Sequence, residues 1–205
     1  MDVAALADVV AVALHGINKC ITKKGNIAVI GDGAIALSTI ALCKILKLER
    51  NLVCFGCSQH KLEIAKKLGA TNVYLGKSIP PDYLNNFNVV FEAVGGSQDE
   101  TLKNAISMTK PTGTIGIFGV FAPDFLHTVY LRPAFYKELN IIGINSYSIY
   151  KGEREFFKAV DIIKTNQNIF KSLISHKEPL DNFEKIISRI KYGNNEKILK
   201  VIFNP

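Results

Sequence analysis

The sequence contains no uninterrupted apolar run of the roughly 18 residues that a membrane-spanning helix requires. It also lacks the start of a secretory signal peptide, since Met1 is followed at once by the acidic Asp2. We therefore expect a cytoplasmic protein that does not contact a membrane. The 205 residues are 48% apolar with a mean hydropathy of +0.16, values that predict a globular core and exclude a disordered chain.

Cysteine is scarce, with four residues in the chain: Cys20, Cys43, Cys54 and Cys57. In a cytoplasmic protein a disulfide framework is not expected. Cys54 and Cys57 have C-x-x-C spacing, but no second pair accompanies them and a closed zinc site needs four ligands. The sequence favours ordinary half-buried thiols over a zinc site.

Acidic residues are fewer than basic ones, 18 against 25, which gives a net charge of +7. Such a charge raises the hypothesis of nucleic-acid binding. The lysines are scattered, as in Lys23-Lys24 and Lys66-Lys67, without interleaved aromatic residues. We therefore expect no nucleic-acid partner, and instead a solvated basic surface that would also attract anionic ligands such as phosphates.

Strand-like and helix-like segments alternate along the first 147 residues. The strand segments have continuous apolar character, which burial on both faces produces. Alternation of this kind predicts a Rossmann-type, doubly wound parallel α/β sheet. The predicted strands are 26–31, 51–56, 71–75, 87–95, 114–121 and 140–147, and the predicted helices are 34–48, 59–68 and 98–109.

The pattern changes after Tyr147. Two amphipathic helices are predicted at 153–164 and 180–191, and a strand at 198–203 ends the chain. This strand has no neighbour in sequence with which to pair. We therefore expect its partner to come from outside the chain.

A glycine fingerprint follows the first predicted strand. Gly31-x-Gly33-x-x-Ala36 has the G-x-G-x-x-G/A pattern, and Ala34 and Ile35 open the next helix. The first glycine permits a tight turn, the second lets a pyrophosphate approach the backbone, and the small third residue lets the helix pack on the strand. The free amides of the helix N-terminus, those of Ala34 and Ile35 included, would hold the pyrophosphate. The strand–turn–helix context favours dinucleotide binding over a merely structural turn.

The end of the second predicted strand carries no acidic residue, because Gly56 stands where a carboxylate would bind the ribose hydroxyls of NAD. A carboxylate about 4 Å from the 2′-phosphate of NADP would cost on the order of 4 kcal/mol per charge pair at an effective dielectric constant near 20. Without the carboxylate, NAD loses one charged hydrogen bond, which contributes only about 1.5–3 kcal/mol. With Ser58 and Lys61 as nearby donors, the sequence favours NADP and leaves NAD as the alternative.

The remaining ionisable residues predict no nucleophilic catalysis, because no Ser-His-Asp or Cys-His set emerges. His15 is interpreted as a packing residue in preference to a catalytic one, and His176 as structural. His60 would either touch the 2′-phosphate or lie exposed in a loop, and His127 has no identifiable partner. Glu92 is expected to orient backbone near the cofactor.

Several segments carry a family resemblance, in order, over nearly the whole chain: "AVALHGINKCITKKGNIAVIGDGAIAL", "KLEIAKKLGATNV", "NVVFEAVGG", "KPTGTIGIFGV", "KELNIIG" and "LISHKEPLDNFEKI". Together they resemble the zinc-containing medium-chain alcohol dehydrogenases, among them sorbitol and threonine dehydrogenases. The "GDG" turn, the "IPPD" loop, "FEAVGG" and "GEREFFKAV" are most similar to the branch that reduces ribulose 5-phosphate to ribitol 5-phosphate with NADPH.

The resemblance implies an oxidoreductase that transfers a hydride between NADP(H) and a polyol or ketose. The alternative is a non-catalytic nucleotide-binding or scaffolding module. The cofactor contacts that the resemblance implies fall into four groups: Gly31, Gly33 and Ala36 at the pyrophosphate; Gly56, Ser58 and Lys61 around the adenosine ribose; Val94 and Gly95 on the adenine side; Phe118, Gly119 and Val120 beside the nicotinamide.

The family also has a GroES-like catalytic domain, which carries the main zinc ligands and precedes the segments matched here. The resemblance therefore implies a linking helix at 1–22, a dinucleotide-binding domain at 23–147 and a C-terminal segment of the catalytic domain at 148–205. Asp8 matches a glutamate that ligates zinc in the polyol branch, but we favour a solvated acid near a helix start. No metal site is expected in this chain, which alone would be inactive or feebly active.

The resemblance also implies a homodimer. The predicted strand 140–147 would lie at the edge of the sheet and pair with its symmetry mate.

Overall fold

Six parallel strands form the central sheet of the computed structural model, which describes residues 2–76, 78–96, 98–123, 128–192 and 197–204. The strand order is β3-β2-β1-β4-β5-β6. Successive strands are added on one side of β1 as far as β3, and β4 to β6 are then added on its other side. Such a reversal opens a crevice at the carboxyl ends of the strands. The strands are β1 (Gly25–Ile30), β2 (Glu49–Gly56), β3 (Asn72–Leu75), β4 (Phe87–Glu92), β5 (Thr109–Ile117) and β6 (Asn140–Gly143).

Helices cover both faces of this sheet. In the described residues they are α1 (Ala7–Cys20), α2 (Ala34–Ile45), α3 (Gln59–Lys67), α4 (Asp99–Met108), α5 (Leu131–Tyr136), α6 (Glu155–Thr165), α7 (Gln167–Lys171) and α8 (Phe183–Tyr192). Short 3₁₀ helices lie at Asp2–Leu6, Pro81–Tyr83 and Leu180–Asn182.

Alternate residues of β1 belong to two separate apolar cores. Ile27 and Val29 pack in the core that contains α1, α2 and α6, whereas Ala28 and Ile30 pack in the core that contains α4. Burial on both faces explains why the strands have continuous apolar character. The prediction of a doubly wound parallel sheet is confirmed.

Three predicted strands end earlier in the structure than their apolar pattern suggests. β4 ends at Glu92, β5 at Ile117 and β6 at Gly143. The apolar pattern continues because Phe118 and Ile144, which follow the strands, remain buried. β5 also begins earlier, at Thr109, and passes through Thr112, which adopts a φ of 61°.

The N-terminal helix is apolar because it is a core element. The 19 residues Asp2–Cys20 have a mean hydropathy of 1.4 and are long and apolar enough to cross a membrane, although charged residues interrupt the run. In the structure 67% of the apolar 18-residue stretch within this segment is buried. The helix packs on α2 and α6, a contact that accounts for its composition.

The expectation that the last strand lacks a partner within the chain is wrong. β10 (Val201–Asn204) pairs in parallel with β9 (His176–Pro179). The ring of Phe183 in α8 lies 5.3 Å from that of Phe203 and covers this small sheet. The sequence "HKEP" of β9 has no apolar run, so its pattern did not predict a strand. The remaining strands, β7 (Ile149–Tyr150) and β8 (Glu153–Arg154), form an antiparallel pair.

Candidate functional site

The crevice lies where the chain passes from β1 into α2. The Gly31 amide donates to the Phe55 carbonyl of β2 at 2.7 Å, and the Ala93 amide donates to the Ile30 carbonyl at 2.8 Å. These two bonds tie the turn to the ends of both neighbouring strands. The turn therefore has a fixed position at the reversal point of the sheet.

Different physical features explain the two glycines of the fingerprint. Gly31 has a φ of +124°, and a Cβ there would lie 2.7 Å from the Ala93 carbonyl oxygen, so only glycine fits. Gly33 has an ordinary φ of −79°, and a Cβ there would meet nothing within 4 Å. The backbone does not require glycine at position 33, and the missing side chain leaves open space in front of α2.

The N-terminus of α2 faces that space without a side-chain cap, Gly33 being the N-cap residue. The first intrahelical bond runs from the Leu37 amide to the Gly33 carbonyl at 3.0 Å. The amides of Ala34, Ile35 and Ala36 precede it and have no acceptor within the helix. Free amides and the helix dipole favour an anion such as a pyrophosphate.

A cavity of about 360 Å³ extends from this turn. Five residues predicted to contact the cofactor line it: Gly31, Gly33, Gly56, Val94 and Gly95. Sequence reasoning missed further lining residues, among them Ile79, Thr101 and Asn104. No short motif marks these positions, because the loop after β3 and the first turns of α4 reach the cavity only through the fold.

The end of β2 has two features that the sequence did not predict. Ser58 is buried and caps α3, because its Oγ accepts from the Lys61 amide at 3.5 Å. The hydroxyl group therefore has a structural role in addition to the predicted contact with the ribose. Asp32, between the fingerprint glycines, has no role in the sequence prediction. Its Oδ2 accepts from the amides of Cys57 at 2.7 Å and Ser58 at 2.8 Å.

The three residues predicted beside the nicotinamide have different environments. The Phe118 ring is buried 5.4 Å from that of Phe91 and lies against Gly16, where a Cβ would be 2.2 Å from it. Its side chain therefore belongs to the core. Gly119 has no room for a side chain, while Val120 is 80% exposed.

A buried carboxylate joins the two loops that flank the crevice. Glu92, which is 0% exposed, accepts hydrogen bonds from Thr101 Oγ1 at 2.8 Å, Gln98 Nε2 at 2.8 Å and the Val94 amide at 3.1 Å. The Gly119 amide also donates to it. Burial raises the pKa of Glu92 to about 7, although these donors lower it. Glu92 thus orients backbone, as expected, and spans β4, α4 and the loop after β5.

None of the three histidines in the described residues lines the cavity. His15 Nδ1 lies 2.7 Å from Glu155 Oε2, and Glu155 also accepts from Asn18 and from the Ser148 amide, so this buried cluster joins α1 to α6. The arrangement agrees with a packing role for His15.

The other three histidines have separate surroundings. His176 Nδ1 lies 3.0 Å from Ser175 Oγ, at the start of β9. His60 is exposed in the first turn of α3. His127 lies outside the described residues.

The thiols and acids of the described residues do not fit a zinc ion. No group of three or more His, Cys, Asp or Glu side chains able to hold a metal occurs in this part of the chain. Burial raises the pKa of the Cys20 and Cys54 thiols to about 12, and Cys57 is exposed. Asp8 is also exposed.

This fold and crevice define a Rossmann-type dinucleotide-binding domain. The family model described as zinc-binding dehydrogenase matches residues 34–165. The chain therefore belongs to the zinc-binding dehydrogenase family, an oxidoreductase family, and the resemblance found in its motifs is confirmed.

Individual relatives agree with this assignment. The ribulose-5-phosphate reductase of Streptococcus pneumoniae is 28% identical over 191 residues, which cover 90% of this chain and 52% of that protein. A zinc-binding dehydrogenase from Sinorhizobium meliloti, solved bound to NADP, superposes with a TM-score of 0.85 at 23% identity and covers 98% of this chain and 58% of that one. Staphylococcus aureus TarJ, solved in complex with NADPH, superposes with a TM-score of 0.75 at 22% identity and covers 97% of this chain and 62% of that one. The chain spans about half the length of the curated relatives it matches.

The buried Glu92 predicts a pH-dependent stability. A carboxyl whose pKa rises from 4.5 to about 7 on folding holds its proton more tightly in the folded state. Wild type should therefore lose about 3 kcal/mol of unfolding free energy, relative to Glu92→Gln, as the pH rises from about 4 to about 7. Urea unfolding at several pH values measures the difference, with Glu63→Gln in α3 as the control. If the difference in unfolding free energy between wild type and Glu92→Gln stayed constant from about pH 4 to about pH 7, the prediction would be contradicted.

Proposed function

We propose that the crevice binds a nicotinamide dinucleotide with its pyrophosphate on the N-terminal amides of α2. The observation that carries this proposal is the open space at Gly33, whose backbone does not itself require glycine. A phosphate group would occupy the volume that a side chain leaves empty. Gly31 holds the turn in place, and the buried Ala36 lets α2 approach β1.

The remaining cofactor contacts follow from the position of the pyrophosphate. The adenosine would extend over Gly56 toward Lys61, with Ile79 and Asn104 among the cavity walls. Val94 and Gly95 would border the cofactor on the β4 side. The nicotinamide would lie beside the backbone of Phe118, Gly119 and Val120, since the Phe118 ring is buried in the core.

NADP(H) is the proposed cofactor, with NAD as the alternative. Gly56 provides no carboxylate of its own at the end of β2, and Lys61 lies in the first turn of α3. Two relatives of the same fold were solved with NADP and NADPH. Lys61 and these two relatives favour a site that accepts a 2′-phosphate, although the Asp32 carboxylate lies against Gly56.

The proposed reaction is hydride transfer between NADP(H) and a polyol or ketose. The similarity to ribulose-5-phosphate reductase makes ribulose 5-phosphate, reduced to ribitol 5-phosphate, the first substrate to test. The described residues hold and orient the cofactor, and they include no metal-binding group that could polarise a carbonyl. We therefore propose that residues 23–147 form the cofactor domain, that 1–22 and 148–205 adjoin a catalytic domain, and that the chain alone is inactive. A cytoplasmic location belongs to the same proposal.

Substitution of Gly33 by alanine tests cofactor binding. The methyl group fits the folded protein but occupies the phosphate space, so NADPH affinity should fall at least tenfold while the urea midpoint stays unchanged. NADPH fluorescence titration measures the affinity. Asp161→Ala is the control, because this side chain is 74% exposed on α6 and lies outside the cavity. Wild-type protein that gives neither a fluorescence nor a heat signal with NADPH or NADH would contradict the proposal.

The catalytic part of the proposal has a separate test. Adding the catalytic domain of a ribulose-5-phosphate reductase in trans should restore NADPH-dependent reduction of ribulose 5-phosphate. Dinucleotide binding without any restored turnover would favour the non-catalytic module instead.

We also propose a homodimer formed through β6, the edge strand of the sheet. Ile141 in this strand is 40% exposed, and β6 is the last strand in the sheet order, where a second copy can pair. Light scattering at micromolar concentration should give the mass of a dimer, and Ile141→Lys should shift it toward a monomer. The control is Ile149→Lys in β7, which is 63% exposed and outside the six-stranded sheet. A monomeric wild type would contradict this assembly.

A further inference from the structure

We propose that Asp32 is the residue that discriminates between NAD and NADP in this crevice, an inference that rests on the proposed dinucleotide binding. Its carboxylate stands at the end of β2, where an acidic residue contacts the adenosine ribose in NAD-binding folds. In this chain the carboxylate comes from the glycine turn after β1.

The position of Asp32 follows from its contact with Gly56. A Cβ added to Gly56 would lie 2.7 Å from Asp32 Oδ2, 2.8 Å from its Cβ and 3.1 Å from its Cγ. The Asp32 side chain therefore fills the volume that a side chain at position 56 would occupy. Glycine at position 56 thus leaves the space that the Asp32 carboxylate occupies.

Two backbone amides fix the carboxylate in this place. Asp32 Oδ2 accepts from Cys57 at 2.7 Å and from Ser58 at 2.8 Å, at the beginning of α3. Charge-assisted bonds of this length hold an acceptor firmly. The same two amides are then occupied and cannot serve a 2′-phosphate, whereas Oδ1, which accepts from no donor in the described part of the chain, can accept from a ribose hydroxyl.

The charge of Asp32 acts in the same direction as its hydrogen bonds. A carboxylate beside the ribose repels the 2′-phosphate of NADP and accepts from the free hydroxyls of NAD. Lys61, three residues beyond Ser58, carries the opposite charge. Asp32 therefore reduces the preference for NADP that Gly56 and Lys61 would otherwise produce.

Asp32→Asn is the variant that separates charge from structure. Asparagine keeps the size of the side chain and one oxygen for the two amides, and it removes the negative charge. We expect the ratio of NADPH affinity to NADH affinity to rise at least tenfold over that of wild type. Fluorescence titrations with both dinucleotides measure the ratio, and Asp161→Asn on the exposed surface of α6 should leave it unchanged.

The outcomes distinguish this inference from the proposed function. If wild type and variant bind both dinucleotides with ratios within twofold of each other, Asp32 does not discriminate, although the cofactor site stands. If wild type binds neither, the proposed function fails and this inference fails with it. Circular dichroism checks that the variant folds, and Asp32→Ser provides a second uncharged residue at which the same rise is expected.

Discussion

The close approach of Gly31 to the end of β4 is the constraint on which the crevice depends. At a φ of +124° and with the Ala93 oxygen 2.7 Å from any added Cβ, this residue turns the chain within the space between two strands. Hydrogen bonds to Phe55 and from Ala93 to Ile30 fix the turn on both sides. The start of α2 consequently points its free amides over the reversal point of the sheet, and the surrounding loops form the walls of a cavity at that point.

The second strand and the turn are coupled through Asp32 rather than through the backbone alone. Its carboxylate bonds to the amides that follow Gly56, so the glycine turn and the N-terminus of α3 hold each other in position. Glu92 has a comparable structural role on the opposite side, where it joins the Val94 and Gly119 backbones. Asp32 thus lines the crevice at the proposed adenosine end, whereas Glu92 lies buried beneath the loops that follow β4 and β5.

Local patterns predicted the parts of this architecture that depend on local chemistry. The apolar runs identified the sheet strands, and Gly31 and Gly33 marked the turn, because two-sided burial and tight turns leave clear signatures in composition. Long-range pairing leaves no such signature. The partner of β10 is a polar segment at 176–179, and the contact between Asp32 and residues 57–58 joins positions 25 or more residues apart. The burial of Phe118 likewise depends on Gly16, a residue of another element.

The proposed function requires that a dinucleotide place its pyrophosphate on the amides at the start of α2. An NMR titration of ¹⁵N-labelled protein with NADPH observes those amides directly. We expect the signals of Gly33, Ala34, Ile35 and Ala36 to shift most as the cofactor binds, with the shifts reaching saturation together. Saturable binding that leaves these four signals in place and shifts amides on another surface would contradict this binding mode.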